Sequence, residues 1–264
     1  MAGSKYVENK AFQSRRSGGQ PPALREMHER RANRCGTEEQ WLGLVPFLQQ
    51  KCGIEIWGRV LEIGAGGGWL SAEISKLPRV VEVVTTDYWP ELLKERSPAI
   101  FEKLKANTAK ITRMPADYHQ LDFPENYFDF VVSSAVLHDA GNIVQVLREA
   151  KRVLKPGGRF LALREPVWPL VKIKSRARIL EKLVKTGVNE RFYTLSQYKE
   201  FFRQASLPLI VKRINLASGW KFYFDQLVNG FTHARYAFIG TKRGTAKPPT
   251  LEIRSAKSPR KTRG

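Results

Sequence analysis

Two groups of residues in this chain have types and spacings suited to chemistry. The first is Val60-Leu61-Glu62-Ile63-Gly64-Ala65-Gly66-Gly67-Gly68-Trp69-Leu70. An apolar run, read as a buried strand, ends on a carboxylate and passes into glycines at 64, 66, 67 and 68. Leu70, Ile74 and Leu77 then follow at i, i+4 and i+7, the apolar stripe of a helix. A strand, a glycine turn and a helix in this order offer a ligand bare backbone. Glycine takes positive φ and leaves no Cβ in the way, and the helix start presents N–H groups without intrahelical partners. The spacing E-x-G-x-G-x-G differs from the dinucleotide pattern G-x-G-x-x-G. A second apolar run, Val80–Thr86, ends at Asp87, 19 residues past Gly68. A carboxylate at that strand end is placed to accept hydrogen bonds from a ribose diol.

The second group is acid–base. His138 sits in Val136-Leu137-His138-Asp139, after the continuous apolar run Phe128–Ser133. An imidazole suits a base near neutral pH, and two roles are open to His138: taking a proton, or holding a cofactor or its own loop. Glu165 follows the run Arg159–Arg164 directly and is a second candidate base; its alternatives are a hinge and an ion pair with Arg164 or a neighbouring Lys. His28, His119 and His233 have weaker claims. Two cysteines, Cys35 and Cys52, give neither a disulfide framework nor a zinc cluster.

The elements that must carry these residues alternate between strand and helix. Thr37–Gln50 reads as a helix capped by Thr37, with Pro46 marking a kink or boundary. Trp89-Pro90-Glu91 opens a helix that Ser97-Pro98 interrupts. Lys110–Met114 is a third strand, with Ala116-Asp117-Tyr118 just after it. Phe128–Ser133 is a central parallel strand, Asn142–Leu154 a helix, Lys155-Pro156-Gly157-Gly158 a turn and Arg159–Arg164 the fifth strand. Beyond Glu165-Pro166 the pattern changes: Leu170–Lys185 reads as a basic amphipathic helix, and Thr194 starts another that runs to Gln204. Leu207–Leu216 and Ala234–Thr241 are the last strands. Residues 1–23 read as mostly disordered.

Glu62 to Gly68 with Asp87 resembles the S-adenosyl-L-methionine site of class I methyltransferases. The resemblance extends to Ala116-Asp117, to Phe128-Asp129-Phe130-Val131-Val132 and to Glu149 through Gly158. It covers roughly residues 37–164 with specific motifs and reaches weakly to 243. It implies a Rossmann-like α/β fold: a seven-stranded, mostly parallel sheet with an antiparallel last strand and helices on both faces. It also implies S-adenosyl-L-methionine as cofactor, held by Glu62, Gly64, Ala65, Gly66, Gly68, Asp87, Tyr88, Ala116, Asp117 and Ser134. In such enzymes the acid at the Asp117 position accepts from the adenine amino group. The expected domains are a basic, partly disordered N-terminal segment (1–36), a methyltransferase domain (37–241) whose insert 165–207 covers the substrate, and a basic disordered tail (242–264).

The net charge of +20 is unevenly spread. Residues 37–164 hold 16 basic and 16 acidic side chains, so the cofactor half is neutral. Residues 165–207 hold 9 basic and 4 acidic, and residues 241–264 hold 8 and 1. A field of this kind attracts anions such as phosphorylated metabolites or nucleic acid. Methyl transfer from a sulfonium is an in-line displacement, for which positioning alone lowers the barrier by up to about 7–11 kcal/mol; no metal is required. The motifs of exocyclic-amine and cytosine C5 methyltransferases are missing, since Ser133-Ser134-Ala135-Val136 stands where Asn/Asp-Pro-Pro-aromatic would fall. The reading is therefore a methyltransferase acting on a small or glycan-linked, anionic acceptor. The alternatives are an RNA methyltransferase, favoured by the basic tails, and a non-catalytic module that keeps the fold. No apolar run is long enough to span a membrane, and no signal-peptide core lies near Met1, which gives the expectation of a cytoplasmic protein.

Overall fold

The computed structural model describes residues 3–16, 42–168, 193–216 and 234–244. Nine strands form one sheet: β1 (Lys5–Tyr6), β2 (Gly58–Glu62), β3 (Val80–Asp87), β4 (Ile111–Pro115), β5 (Phe128–Ser134), β6 (Leu154–Trp168), β7 (Tyr193–Thr194), β8 (Leu209–Ile214) and β9 (Ala234–Thr241). Their order is β1-β4-β3-β2-β5-β6-β9-β8, with β7 added beside β6. β9 runs antiparallel to both β6 and β8, and β1 through β7 pair in parallel. The seven expected strands are thus present, together with two strands of two residues each.

Alternation along the strands feeds two cores. Leu61, Val84 and Val131 face α5 (Ile143–Val153) and α6 (Leu195–Gln204). Val60, Val83 and Val132 face α2 (Leu44–Cys52), α3 (Trp69–Ser75) and α4 (Ser97–Lys103). Burial on both faces is why these strands read as continuous apolar runs. The strand order reverses between β2 and β5, so the loops leaving those two strands open a crevice at the C-terminal edge, where open α/β sheets bind ligands.

Three expectations are corrected, and a fourth feature, the helix seam, takes a form not foreseen. Residues 3–16 are not disordered: β1 pairs with β4, and α1 (Lys10–Arg16) follows. Phe12 is only 2% exposed and meets Tyr88 edge-on at 5.2 Å. Asn9 donates to the Pro115 carbonyl at 3.1 Å and to Asp122 at 3.0 Å. The seam expected at Ser97-Pro98 is present: residues Leu92–Arg96 widen into a π turn, Ser97 N–H reaches the Leu92 carbonyl, and α4 starts at Ser97 with Pro98 in its first turn. Second, Lys155 to Gly158 lies within β6 as an irregularity in its pairing with β5, with Gly157 at φ +81° donating to the Lys242 carbonyl. Third, β6 runs on through Glu165 to Trp168, so those residues belong to the sheet and not to the insert.

Pro46 lies in the first turn of α2, where its missing N–H has no intrahelical partner to lose. Thr37, the expected helix over Leu170–Lys185 and the tail beyond Gly244 lie outside the described residues. Lys242, expected to begin the tail, is fixed by its ammonium on the Leu154 carbonyl at 2.7 Å.

Truncating a buried Phe costs about 3–5 kcal/mol, so Phe12→Ala should release the N-terminal strap. Hydrogen exchange at Val7, whose N–H bonds the Arg113 carbonyl, should speed up more than about a hundredfold, while amides in β5 stay protected. Unchanged protection at Val7 would show that strand pairing alone holds the strap.

Candidate functional site

The glycine turn is held from both ends by carboxylates. Glu62, at the end of β2, is 2% exposed. Its Oε2 accepts from the Ser71 N–H at 2.9 Å and from the Ser71 hydroxyl, and the Thr85 hydroxyl donates to Ser71 Oγ at 2.7 Å. Ser71 is the third residue of α3, so Glu62 satisfies one of the N–H groups a helix start leaves open. The strand end and the helix start are thereby tied together, with Gly64 to Gly68 strung between them. Burial pushes the Glu62 carboxyl up to about 8; the Ser71 hydrogen bonds oppose the rise, and the nearby Asp87 charge adds to it.

Asp87 braces the turn from β3. It is 7% exposed; Oδ2 accepts from Gly66 N–H at 2.7 Å and Oδ1 from Trp89 N–H at 2.9 Å. Burial raises its carboxyl above the ordinary range, against hydrogen bonds from Trp89, Gly66 and Tyr88 that pull it down. Gly64, Gly66 and Gly68 sit at φ +62°, +56° and +82°, in the left-handed region that side chains disfavour. They differ in what lies beside them. A Cβ on Gly64 would fall 2.8 Å from Val136, and one on Gly68 2.8 Å from Phe101. Beside Gly66 the space is open. Gly64 thus packs the turn against the loop after β5, while Gly66 presents bare backbone.

The other expected cofactor residues gather along the same edge. Ala65 N–H bonds the Thr86 carbonyl at 2.9 Å, and Ala116 N–H bonds the Asp87 carbonyl at 3.0 Å, which sets Ala116-Asp117 beside Asp87-Tyr88. Tyr88 is wedged edge-on between Phe12 and Trp89. Asp117 Oδ1 accepts from the His119 N–H at 2.8 Å and lies 3.0 Å from its ring Nδ1. Ser134 ends β5; its hydroxyl is buried and finds no hydrogen-bond partner among the described residues.

His138 and Glu165 meet. The ring Nδ1 lies 3.0 Å from Glu165 Oε2, while Glu165 Oε1 accepts from Val136 N–H at 2.8 Å and Leu137 N–H at 3.0 Å. Glu165 is fully buried. The contact depends on a β-bulge. Opposite β9, Ala162 pairs with Phe238 but Glu165 pairs with Tyr236, so three steps on β6 match two on β9. Without the extra residue Glu165 would face the Leu161/Leu163 side. With it, Glu165 shares the face of Tyr236 and Phe238, the side of the sheet that α6 covers. Arg164, at the bulge, takes φ +59°, and Ala135, at the facing loop, φ +56°. Left-handed backbone at two non-glycine residues is costly and collects at functional sites.

Sequence reasoning missed Ser71, Thr85 and Phe12, and read Tyr198 as a core or acceptor-pocket aromatic without linking it to Glu165. Tyr198 is fully buried on α6, stacks on Phe238 at 4.6 Å, and has its phenol pushed up by burial and by Glu165. Only Thr85, two residues before Asp87 on one strand face, carried a positional hint. Among the described residues no group of three or more His, Cys, Asp or Glu is placed to hold a metal ion, and no helix is long and apolar enough to cross a membrane.

Residues 61–162 match the methyltransferase domain family. A ubiquinone/menaquinone biosynthesis C-methyltransferase, UbiE, of Pseudomonas putida is 34% identical over 132 residues, covering 50% of this chain and 50% of that protein. The YcgJ protein of Bacillus subtilis superposes with a TM-score of 0.57 at 20% identity, over 77% of this chain and 98% of that one. Phosphoethanolamine N-methyltransferase 2 of Haemonchus contortus, solved with phosphomonomethylethanolamine and S-adenosylhomocysteine, gives 0.57 at 16% identity over 75% and 52%. Residues 61–162 thus match a methyltransferase domain, and the fold is that of the class I S-adenosylmethionine-dependent enzymes. The chain spans about half the length of the curated relatives it matches. The cofactor of that class is S-adenosyl-L-methionine, and the residues present fit it: an open backbone cradle at Gly66 and, beside it, a carboxylate that accepts hydrogen bonds.

Because the folded chain holds the Glu62 proton up to about pH 8, above the ordinary value of 4.5, its share of stability is full below pH 4.5 and is lost as pH rises to 8. The slope is about 1.4 kcal/mol per pH unit. Urea unfolding at pH 5 and pH 8 should show this loss in the wild type and not in Glu62→Gln; equal slopes would mean that Glu62 ionises normally inside the fold.

Proposed function

We propose that this chain is an S-adenosylmethionine-dependent methyltransferase acting on a small or glycan-linked, anionic acceptor. The observation that carries the reading is the glycine turn at the sheet's reversal point, open at Gly66 and braced there by Asp87. Asp87 is assigned to the ribose hydroxyls, Asp117 to the adenine amino group, and Gly64 to Gly68 to the amino-acid end. Tyr88, Ala116 and Ser134 line the same edge, and Glu62 acts through the turn it ties to α3. When bound, the cofactor supplies a methyl group already activated on a sulfonium.

The residues of the chain then position the acceptor and move its proton. A carboxylate only accepts, so Glu165 draws the Nδ1–H of His138 and leaves Nε2, 3.6 Å from Asp139 Oδ1, as the nitrogen that can take a proton. His138 is the base for an acceptor hydroxyl, and the fully buried Glu165 orients the ring without meeting substrate. The small-molecule class is supported by the Pseudomonas relative, named for a C-methyl transfer in quinone biosynthesis, and by the Haemonchus structure of similar fold, which holds phosphomonomethylethanolamine. The anionic character is supported by the basic excess of residues 165–207.

Asp87→Ala removes charged hydrogen bonds worth about 1.5–3 kcal/mol, so calorimetry should show S-adenosylhomocysteine bound roughly ten- to hundredfold more weakly. Unchanged affinity would remove Asp87 from the site. With methyl-labelled cofactor and fractionated cell extract, label should enter the small-molecule or glycan fraction. Label in RNA would overturn the acceptor class, and binding with no transfer to any fraction would favour a non-catalytic module.

A further inference from the structure

Beyond the assigned contacts, the loop after β4 contains a histidine whose ring is engaged at both nitrogens. His119 Nδ1 lies 3.0 Å from Asp117 Oδ1, and its Nε2 accepts from the Asn142 N–H at 3.4 Å. A neutral imidazole has one donor and one acceptor, and this arrangement uses each once: Nδ1–H toward the carboxylate, the Nε2 lone pair toward the amide. The backbone repeats the link. His119 N–H donates to the same Asp117 Oδ1 at 2.8 Å, and the His119 carbonyl accepts from the Gln145 side chain at 3.1 Å. Asn142 is the N-cap of α5, with its own Oδ1 accepting from Gln145 N–H at 3.1 Å.

We propose that His119 is a positioning residue for the adenine end of the cofactor, pinning the Asp117 carboxylate and fastening it to the first turn of α5. The proposal rests on the assignment of adenine to Asp117 made above. Asp117 is about one-third exposed, with 35% of its side-chain surface open. Two donors from His119 converge on one of its oxygens and orient the carboxylate, so the direction of Oδ2 follows. An acceptor already oriented spares the ordering cost of a side chain at binding, about 0.5–1.5 kcal/mol. α5 itself is anchored by Ile143, Val146, Leu147 and Ala150 in the core, so the pin refers Asp117 to a rigid element. The turn that carries His138 (Leu137–Asp139) ends three residues before Asn142, which sets both ends of the site on the same frame.

The test is calorimetry on the full chain with two ligands: S-adenosylhomocysteine, and its analogue with hypoxanthine in place of adenine, which lacks the 6-amino donor. His119→Ala should weaken S-adenosylhomocysteine about two- to tenfold and leave the analogue unchanged, so the wild-type preference for adenine shrinks. His119→Asn, which returns a side-chain donor near the place of Nδ1, should restore that preference. An Ala variant with the wild-type preference overturns the proposal. So does equal weakening of both ligands, which is what a merely structural histidine would give. An Asp117→Ala variant that keeps the preference defeats the adenine assignment itself. Wild-type protein that binds neither ligand defeats the cofactor reading.

Discussion

The hydrogen bond from Gly66 N–H to Asp87 Oδ2, 2.7 Å long, is the contact on which the site depends. It joins a turn of positive-φ glycines to the end of the neighbouring strand, and a second bond to Trp89 N–H fixes the carboxylate on its other side. A glycine turn has the most conformational freedom to lose on folding, so it holds a shape only where its ends and middle are tied. Glu62 ties the ends by capping α3. Asp87 ties the middle. Both carboxylates are buried and carry raised proton affinities as a result, which is the cost of placing acceptor groups inside the fold.

The same logic of an acceptor held by backbone donors recurs at the other end of the crevice. Glu165 reaches His138 only because β6 carries one extra residue opposite β9. The bulge turns a side chain that strict alternation would send to the α2–α4 face onto the opposite one. There it collects N–H groups from the loop after β5 as well as the histidine ring. Gly64 packs against Val136 of that loop, so the glycine turn and the histidine turn are in direct contact. The switch point of the sheet is therefore a small rigid frame built by two strand ends, two turns and the carboxylates that brace them.

What was legible in the sequence followed from period and spacing. Burial on both faces writes β2, β3 and β5 as apolar runs, and glycine spacing with Asp87 at the next strand end marks the turn at the sheet's reversal point. The features that escaped have no such signature. The strap at Lys5–Tyr6 is two residues of strand in polar company; its fit depends on Phe12 meeting Tyr88, a contact between segments far apart in sequence. The bulge at Arg164 is invisible because Arg carries none of the glycine signal that usually announces positive φ. The pairing of His138 with Glu165 follows from that bulge, so the sequence could nominate both residues without joining them. Ser97-Pro98 marks the start of α4, but the π turn that joins it to the preceding turn has no residue signature.

A crystal structure of the full chain with S-adenosylhomocysteine would show whether the glycine turn and Asp87 hold the cofactor. The amino-acid end of the ligand should lie over Gly64 to Gly68, its ribose hydroxyls on Asp87, its adenine beside Asp117, and its sulfur turned toward the loop that carries His138. A ligand bound elsewhere on the chain, or in that crevice with its ribose away from Asp87, would contradict that placement.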